Sequence, residues 1–128
     1  MTTPLHGVIV LLVDDSEDVR HFLSLALHEA GAIAITAGTA GGAVGILDAL
    51  TCHVVVTDRN LPDQDEDWLL NEVRKRRARL GPIPVIALTG DTPSPQRRNP
   101  GFARYLVKPL TAAAAVEAIA SVLPGEPS

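Results

Sequence analysis

The sequence predicts an α/β fold in which helices cover both faces of a parallel five-stranded sheet. Short apolar runs rich in β-branched residues alternate along the chain with segments of helical period. This alternation is typical of strand–helix–strand units, whose strands run parallel and are buried. The 128 residues leave room for about one domain of ordinary size, so we expect a single domain over residues 1–128.

The elements can be assigned in order from their periodicity. The first apolar run has no polar interruption, which suits a strand buried on both faces. We expect five strands, at residues 8–13, 32–36, 53–57, 83–88 and 104–107. We expect four helices, at residues 17–30, 39–50, 68–79 and 112–123. Ser16 and Thr111 are expected N-caps, and Gly31 is expected to end the first helix.

One stretch departs from the alternation. A helix should lie between the fourth and fifth strands, but this stretch contains Pro93, Pro95 and Pro100. Proline lacks a backbone N–H and disfavours the helical conformation of the preceding residue. We therefore expect the fourth helix to be shortened or replaced by a proline-rich loop.

Composition excludes several classes of protein. The net charge of −4 and the acidic pI of about 5.4 disfavour nucleic acid as a partner, because such binding depends on neutralising phosphates. The longest apolar run, residues 8–13, is too short to cross a bilayer. Cys52 is the single cysteine, which suits a reducing compartment. We expect a cytoplasmic protein with neither a membrane nor a nucleic-acid partner.

Polar residues stand at the carboxyl ends of the predicted strands. In open α/β sheets, ligands bind beyond this edge, so these side chains should lie close together. The residues at these strand ends are Asp14, Asp15, Asp58, Thr89 and Lys108.

These residue types suggest a chemistry. Three carboxylates in one cleft repel each other unless a cation intervenes, and oxygen ligands suit Mg²⁺. A carboxylate can also attack phosphorus and form an aspartyl phosphate. Lys108 and Thr89 would then contact the phosphoryl oxygens.

The ordered set of motifs resembles a known family. The residues that carry this resemblance are Asp14-Asp15, Asp58 followed by Leu61-Pro62, the segment 87–90 (Ala-Leu-Thr-Gly), and the segment 105–109 (Tyr-Leu-Val-Lys-Pro). The set is similar to the receiver domain of two-component response regulators, including chemotaxis regulators and the receivers of hybrid histidine kinases. The resemblance covers about residues 6–123 and leaves 124–128 as a tail. It implies a flavodoxin-like, doubly wound sheet of strand order 2-1-3-4-5.

The resemblance implies a phosphoacceptor site. Asp58 would receive a phosphoryl group from a histidine kinase or a histidine phosphotransfer protein. Asp15 and Asp58 would bind Mg²⁺ directly, together with the backbone carbonyl of Asn60, and Asp14 would assist through water.

The resemblance also implies a switch. Lys108 would pair with the phosphoryl group, and Thr89 would hydrogen-bond to it. Tyr105 would swing inward as Thr89 moves, altering a protein-interaction surface. Asn60 and Asp91 occupy the positions that tune the rate of dephosphorylation in this family.

Two features depart from the family pattern. Glu66, within the acidic segment 63–67, stands where the family usually has glycine, which implies a different loop path or some strain. The proline-rich stretch should remodel the surface that the fourth helix usually forms. We therefore expect a monomer or weak dimer that does not associate through an ordinary helix-four face.

Two other hypotheses about the function remain open. A degenerate receiver would act only as a protein-binding domain. A phosphatase of the haloacid dehalogenase type would also use a nucleophilic Asp, but it needs an acid/base Asp where this chain has Asn60. If the chain is a phosphoacceptor receiver domain, we expect no stand-alone enzymatic turnover beyond its own phosphorylation and dephosphorylation.

Overall fold

The computed structural model describes residues 3–124. Five parallel strands form one sheet in the order β2-β1-β3-β4-β5. The strands are β1 (Ile9–Val13), β2 (Ile33–Ala37), β3 (Val54–Asp58), β4 (Val85–Thr89) and β5 (Arg104–Val107). The predicted fold class and strand order are confirmed.

Helices cover the sheet on both faces. They are α1 (Glu17–Glu29), α2 (Ala40–Ala49), α3 (Trp68–Lys75), α4 (Arg77–Leu80) and α5 (Ala112–Val122). Arg76 separates α3 from the single turn of α4, so the helix predicted over 68–79 is interrupted there.

The predicted caps are present. Ser16 Oγ accepts a hydrogen bond from Val19 N at 3.2 Å, and Thr111 Oγ1 accepts one from Ala114 N at 3.1 Å. Gly31 follows the last turn of α1 with φ +89°, a conformation that glycine adopts without steric cost.

No helix lies between β4 and β5. Within this connection, Ser94 O accepts hydrogen bonds from Arg97 N and Arg98 N, which closes one isolated turn. The sequence predicts that the helix between these two strands is shortened or replaced by a proline-rich loop. This prediction is confirmed, and the loop replaces the helix.

The hydrophobic core forms two layers, one on each side of the sheet. On one side, α1 and α5 pack on the strands through residues such as Leu12, Leu27 and Ile119. On the other side, α2 and α3 pack through residues such as Leu47 and Leu70. Every residue of β3 and β4 is buried, so the polar residues at the ends of these strands have fixed positions. Among residues 3–124, no helix is long and apolar enough to span a bilayer.

Strand boundaries differ slightly from the predicted ones. Asp58 and Thr89 are the last residues of β3 and β4, whereas the predicted strands ended one residue earlier, at positions 57 and 88. β4 begins at Val85 because Pro82 and Pro84 cannot donate backbone hydrogen bonds to a neighbouring strand. Of the predicted tail, residues 125–128 lie outside the described part of the chain.

Candidate functional site

Three carboxylates meet where β1 and β3 end. One oxygen from each of Asp14, Asp15 and Asp58 lies within 4.8 Å of the others. Asp14 is fully buried, Asp58 is 7% exposed, and Asp15 faces solvent. Adjacent parallel strands β1 and β3 bring these residues together, as the sequence predicted.

Lys108 bridges the two buried carboxylates. Its Nζ donates to Asp14 Oδ2 at 2.9 Å and to Asp58 Oδ2 at 3.1 Å. Partial burial by itself would lower the pKa of Lys108, but the bonds to Asp14 and Asp58 outweigh burial and raise that pKa. The side chain is therefore an ammonium ion at neutral pH.

The remaining oxygens of the buried carboxylates accept backbone hydrogen bonds. Ser16 N donates to Asp14 Oδ1 at 2.9 Å, and Asn60 N donates to Asp58 Oδ1 at 2.8 Å. Each carboxylate is thus oriented by one N–H group and one ammonium. Because a carboxylate oxygen has two lone pairs, both groups retain capacity for a further ligand.

Thr89 lies beside this cluster and borders a cavity of about 300 Å³. Its hydroxyl donates to the backbone oxygen of Asp91 at 2.7 Å. Asn60, Asp91, Glu66 and Arg97 also line the cavity. The two residues that the family resemblance assigns to dephosphorylation therefore share one cavity with Thr89.

Tyr105 is half-buried and held by Asn99. Its hydroxyl accepts from Asn99 N at 2.6 Å and donates to Asn99 O at 3.1 Å. Its ring packs edge-on against Phe102, with ring centroids 5.5 Å apart. In this conformation Tyr105 is bound to the proline-rich connection.

Arg59 is a residue that sequence reasoning missed. It follows Asp58 directly, is only 3% exposed, and donates to Asp67 Oδ1 through both Nε and Nη2. Nη1 donates to the backbone oxygen of Arg97 at 2.8 Å. A charged residue next to a buried strand end was the only sequence signal, and nothing in the sequence indicated its partners.

The acidic segment 63–67 has structural partners. Both oxygens of Asp63 accept from the first backbone N–H groups of α2, at Ala40 and Gly41. Glu66 pairs with Arg97, and Asp67 pairs with Arg59. Within residues 3–124, every residue with positive φ is a glycine, so Glu66 is accommodated without that form of strain.

Comparison with known proteins identifies the family. The family model of the response regulator receiver domain matches residues 10–120. The chain therefore belongs to the response regulator receiver domain family of two-component signalling. Receiver domains typically bind Mg²⁺ at an acidic pocket, and the cluster of Asp14, Asp15 and Asp58 has this character.

The chain is also similar to individual proteins. An uncharacterized 14.6 kDa protein from the sodA1 3′ region of Leptolyngbya boryana is 33% identical over 79% of each chain. The response regulator protein FleR of Pseudomonas aeruginosa is 31% identical over 87% of this chain, which spans 24% of FleR. Chemotaxis protein CheY4 of Vibrio cholerae superposes with a TM-score of 0.84 at 27% identity, covering 91% of this chain and 99% of that one.

Proposed function

We propose that Asp58 is the phosphoacceptor of this receiver domain and takes its phosphoryl group from a phosphohistidine donor in the presence of Mg²⁺. The observation that carries the proposal is the Lys108 ammonium, which binds Asp58 and Asp14 inside a cluster of three carboxylates. A partly buried cation at this place neutralises part of the charge before the donor arrives and can contact a phosphoryl oxygen afterwards.

The geometry prepares Asp58 as a nucleophile. Asn60 N and Lys108 hold its two oxygens, which fixes the plane of the carboxylate. Attack by one oxygen forms a phosphorus–oxygen bond, and the phosphorus–nitrogen bond to the donor imidazole breaks with its electron pair remaining on nitrogen. The Thr89 hydroxyl, which donates to Asp91 O in the structure, would release that bond and donate to the new phosphoryl group.

The residues present suit Mg²⁺. All three side chains at the cluster are carboxylates, and hard oxygen ligands are what this ion prefers. Asp15 and Asp58 would hold it with the backbone carbonyl of Asn60, and Asp14 would assist through water. When bound, Mg²⁺ shields the negative charges of the carboxylates and of the incoming phosphoryl oxygens.

The response to phosphorylation would pass through Thr89 and Tyr105. Movement of Thr89 toward the phosphoryl group opens space at the end of β4, and Tyr105 on the adjacent strand β5 would turn inward. Asn60 and Asp91 border the cavity from which water would reach the phosphoryl group, which supports their proposed role in setting its lifetime.

The proposed donor is a histidine kinase or a phosphotransfer protein in the cytoplasm. Helix α1 presents two exposed apolar side chains, Phe22 at 43% and Leu25 at 53%. In the family this helix meets the donor. Exposed apolar groups on the helix that follows Asp14-Asp15 give such a partner a surface to bury.

Phosphorylation tests the proposal directly. The protein is incubated with Mg²⁺ and acetyl phosphate, and its intact mass is followed. We expect the mass of one added phosphoryl group, absent in Asp58→Asn and present in Asp65→Asn, which removes an exposed carboxylate from the nearby loop.

A degenerate receiver would give a different result. It would show neither an adduct nor binding of Mg²⁺ or beryllofluoride, although the fold would be intact by circular dichroism. Continuous release of phosphate from acetyl phosphate at an enzymatic rate would instead favour the hypothesis of a phosphatase of the haloacid dehalogenase type.

A further inference from the structure

Four residues form a closed ring of contacts next to the phosphoacceptor. Arg59 donates to Asp67 at 2.7 Å, and Asn99 Nδ2 donates to the other oxygen of Asp67 at 3.0 Å. The backbone of Asn99 exchanges two hydrogen bonds with the Tyr105 hydroxyl. The Tyr105 ring completes the circuit, since Arg59 Cζ lies 5.6 Å from its centroid.

Arg59 is the most constrained member of this ring. Its guanidinium also lies 5.1 Å from the Phe102 centroid, and all three of its nitrogens donate hydrogen bonds. A cation that is 3% exposed is costly unless it is paired, and here the carboxylate of Asp67 is its partner. Displacing any of these contacts therefore changes the environment of Arg59.

The ring connects the phosphoacceptor strand to the proline-rich connection. Arg59 adjoins Asp58 in the chain, and its backbone N donates to Leu88 O next to Thr89. At the other end, its Nη1 donates to Arg97 O and its Nη2 to Asp67. One residue therefore links the end of β3 to the acidic loop and to the proline-rich connection.

Hydrogen bonds hold Lys108, Thr89 and Tyr105 in the observed conformation. Lys108 is bound to Asp58, Thr89 is bound to Asp91, and Tyr105 is bound to Asn99. A Tyr105 that moves inward must first release both hydrogen bonds to Asn99. The contacts that position Asn99 therefore contribute to the free energy of that movement.

We propose that Arg59 is a positioning residue which, through Asp67 and Asn99, holds Tyr105 in its unphosphorylated place and sets how readily the domain responds at Asp58. This inference rests on the proposed function. Weakening the ring destabilises the resting state, which lowers the concentration of phosphoryl analogue needed for the response.

Tyr105 is the only tyrosine of the chain, so 3-fluorotyrosine labels this ring alone. Fluorine NMR is recorded while beryllofluoride is titrated at saturating Mg²⁺. In Asp67→Asn we expect the analogue-free resonance to shift toward the position that the saturated wild type reaches. We expect the half-saturating beryllofluoride concentration to fall by about threefold or more.

Two further variants sharpen the test. Asp65→Asn removes the same charge from the same loop, where that side chain is exposed, and should leave both readouts at wild-type values. Asn99→Asp keeps the volume but places two carboxylates where the 3.0 Å hydrogen bond now lies, and should act like Asp67→Asn.

If the ring is purely structural, Asp67→Asn and Asn99→Asp would change only the midpoint of urea unfolding. Their fluorotyrosine resonance and their half-saturating beryllofluoride concentration would then equal those of the wild type. That result would overturn the inference. Failure of the proposed function gives a different result from failure of this inference. In that case the Tyr105 resonance of the wild type would not respond to beryllofluoride, even if the variants shift the analogue-free resonance.

Discussion

Glu66 forms an ion pair with Arg97, and this pair joins the two segments in which the sequence departs from the family pattern. Glu66 belongs to the acidic segment 63–67, and Arg97 belongs to the proline-rich connection. Arg59 lies 3.8 Å from Glu66, so two cations offset this carboxylate. The two departures are therefore complementary, and much of the added negative charge is paired within the protein.

Replacing Glu66 should loosen the proline-rich connection. Arg97 is largely exposed and Glu66 partly exposed, so we expect Glu66→Gln to reduce the free energy of unfolding by less than about 1 kcal/mol. Hydrogen exchange at Arg97 and Arg98, whose amides donate to Ser94 O, should accelerate by up to about fivefold. Exchange at wild-type rates in Glu66→Gln would show that the pair does not hold the segment.

Removing Asp15 should have opposite effects on stability and on metal binding. Within residues 3–124 its side chain makes no hydrogen bond or ion pair, and it adds repulsion to Asp14 and Asp58. We expect Asp15→Asn to raise the free energy of unfolding without Mg²⁺ by about 0.5 kcal/mol and to weaken Mg²⁺ binding at least about tenfold. Urea unfolding and calorimetric titration check the two parts, and an unchanged Mg²⁺ affinity would exclude Asp15 as a ligand.

Removing Lys108 should destabilise the domain most when no divalent cation is present. Lys108→Met leaves Asp14 fully buried beside Asp58 without a cation, so we expect a loss of about 2–3 kcal/mol. Because Mg²⁺ binds the folded state, millimolar Mg²⁺ should restore part of this loss in urea unfolding.

Lys75 offers the matched control for Lys108. Its pair with Glu72 is at the surface, with the lysine side chain 70% exposed, so Lys75→Met should cost less than about 0.5 kcal/mol. Equal losses in the two variants would show that Lys108 is no more than a surface cation.

Asp63 should stabilise α2 in a pH-dependent way. The first turn of α2 contains no acidic residue, and Asp63 supplies a carboxylate from another loop to Gly41 N and Ala40 N. These hydrogen bonds lower the pKa of Asp63 below its ordinary value of 3.8, and the bond from Gly41 N has the larger effect. We expect Asp63→Ala to reduce the free energy of unfolding by about 1 kcal/mol at pH 7.

The sign of the pH effect follows from the lowered pKa. A carboxyl group with a lower pKa when folded adds stability above its unfolded pKa, and this is lost as pH falls through the folded value. The difference between wild type and Asp63→Ala should therefore shrink below about pH 3.8 in urea unfolding. A difference that stays constant from pH 7 to pH 3 would contradict a role for the charged carboxylate.

Regular elements and strand ends were accessible from the sequence because their signals are local. The unbroken apolar run of β1, the helical period of α1 and the cap at Ser16 each depend on residues a few positions apart. Parallel strands then place their carboxyl ends at one edge, so the meeting of Asp14 and Asp58 followed from topology alone. Pro93, Pro95 and Pro100 excluded a helix for an equally local reason.

Only the tertiary structure decided how the unusual segments are used. Arg59 and Arg97 are separated by 38 positions, and Asp63 and Gly41 by 22, and no periodic pattern relates such pairs. Burial made the difference, because a cation enclosed beside Phe102 and Tyr105 is costly unless it pairs with a carboxylate. Asp67 lies nearest to it, at 2.7 Å. The sequence by itself determined the receiver fold and its acidic edge, whereas the folded chain determined that Glu66 and Asp67 of the acidic loop bind the proline-rich connection.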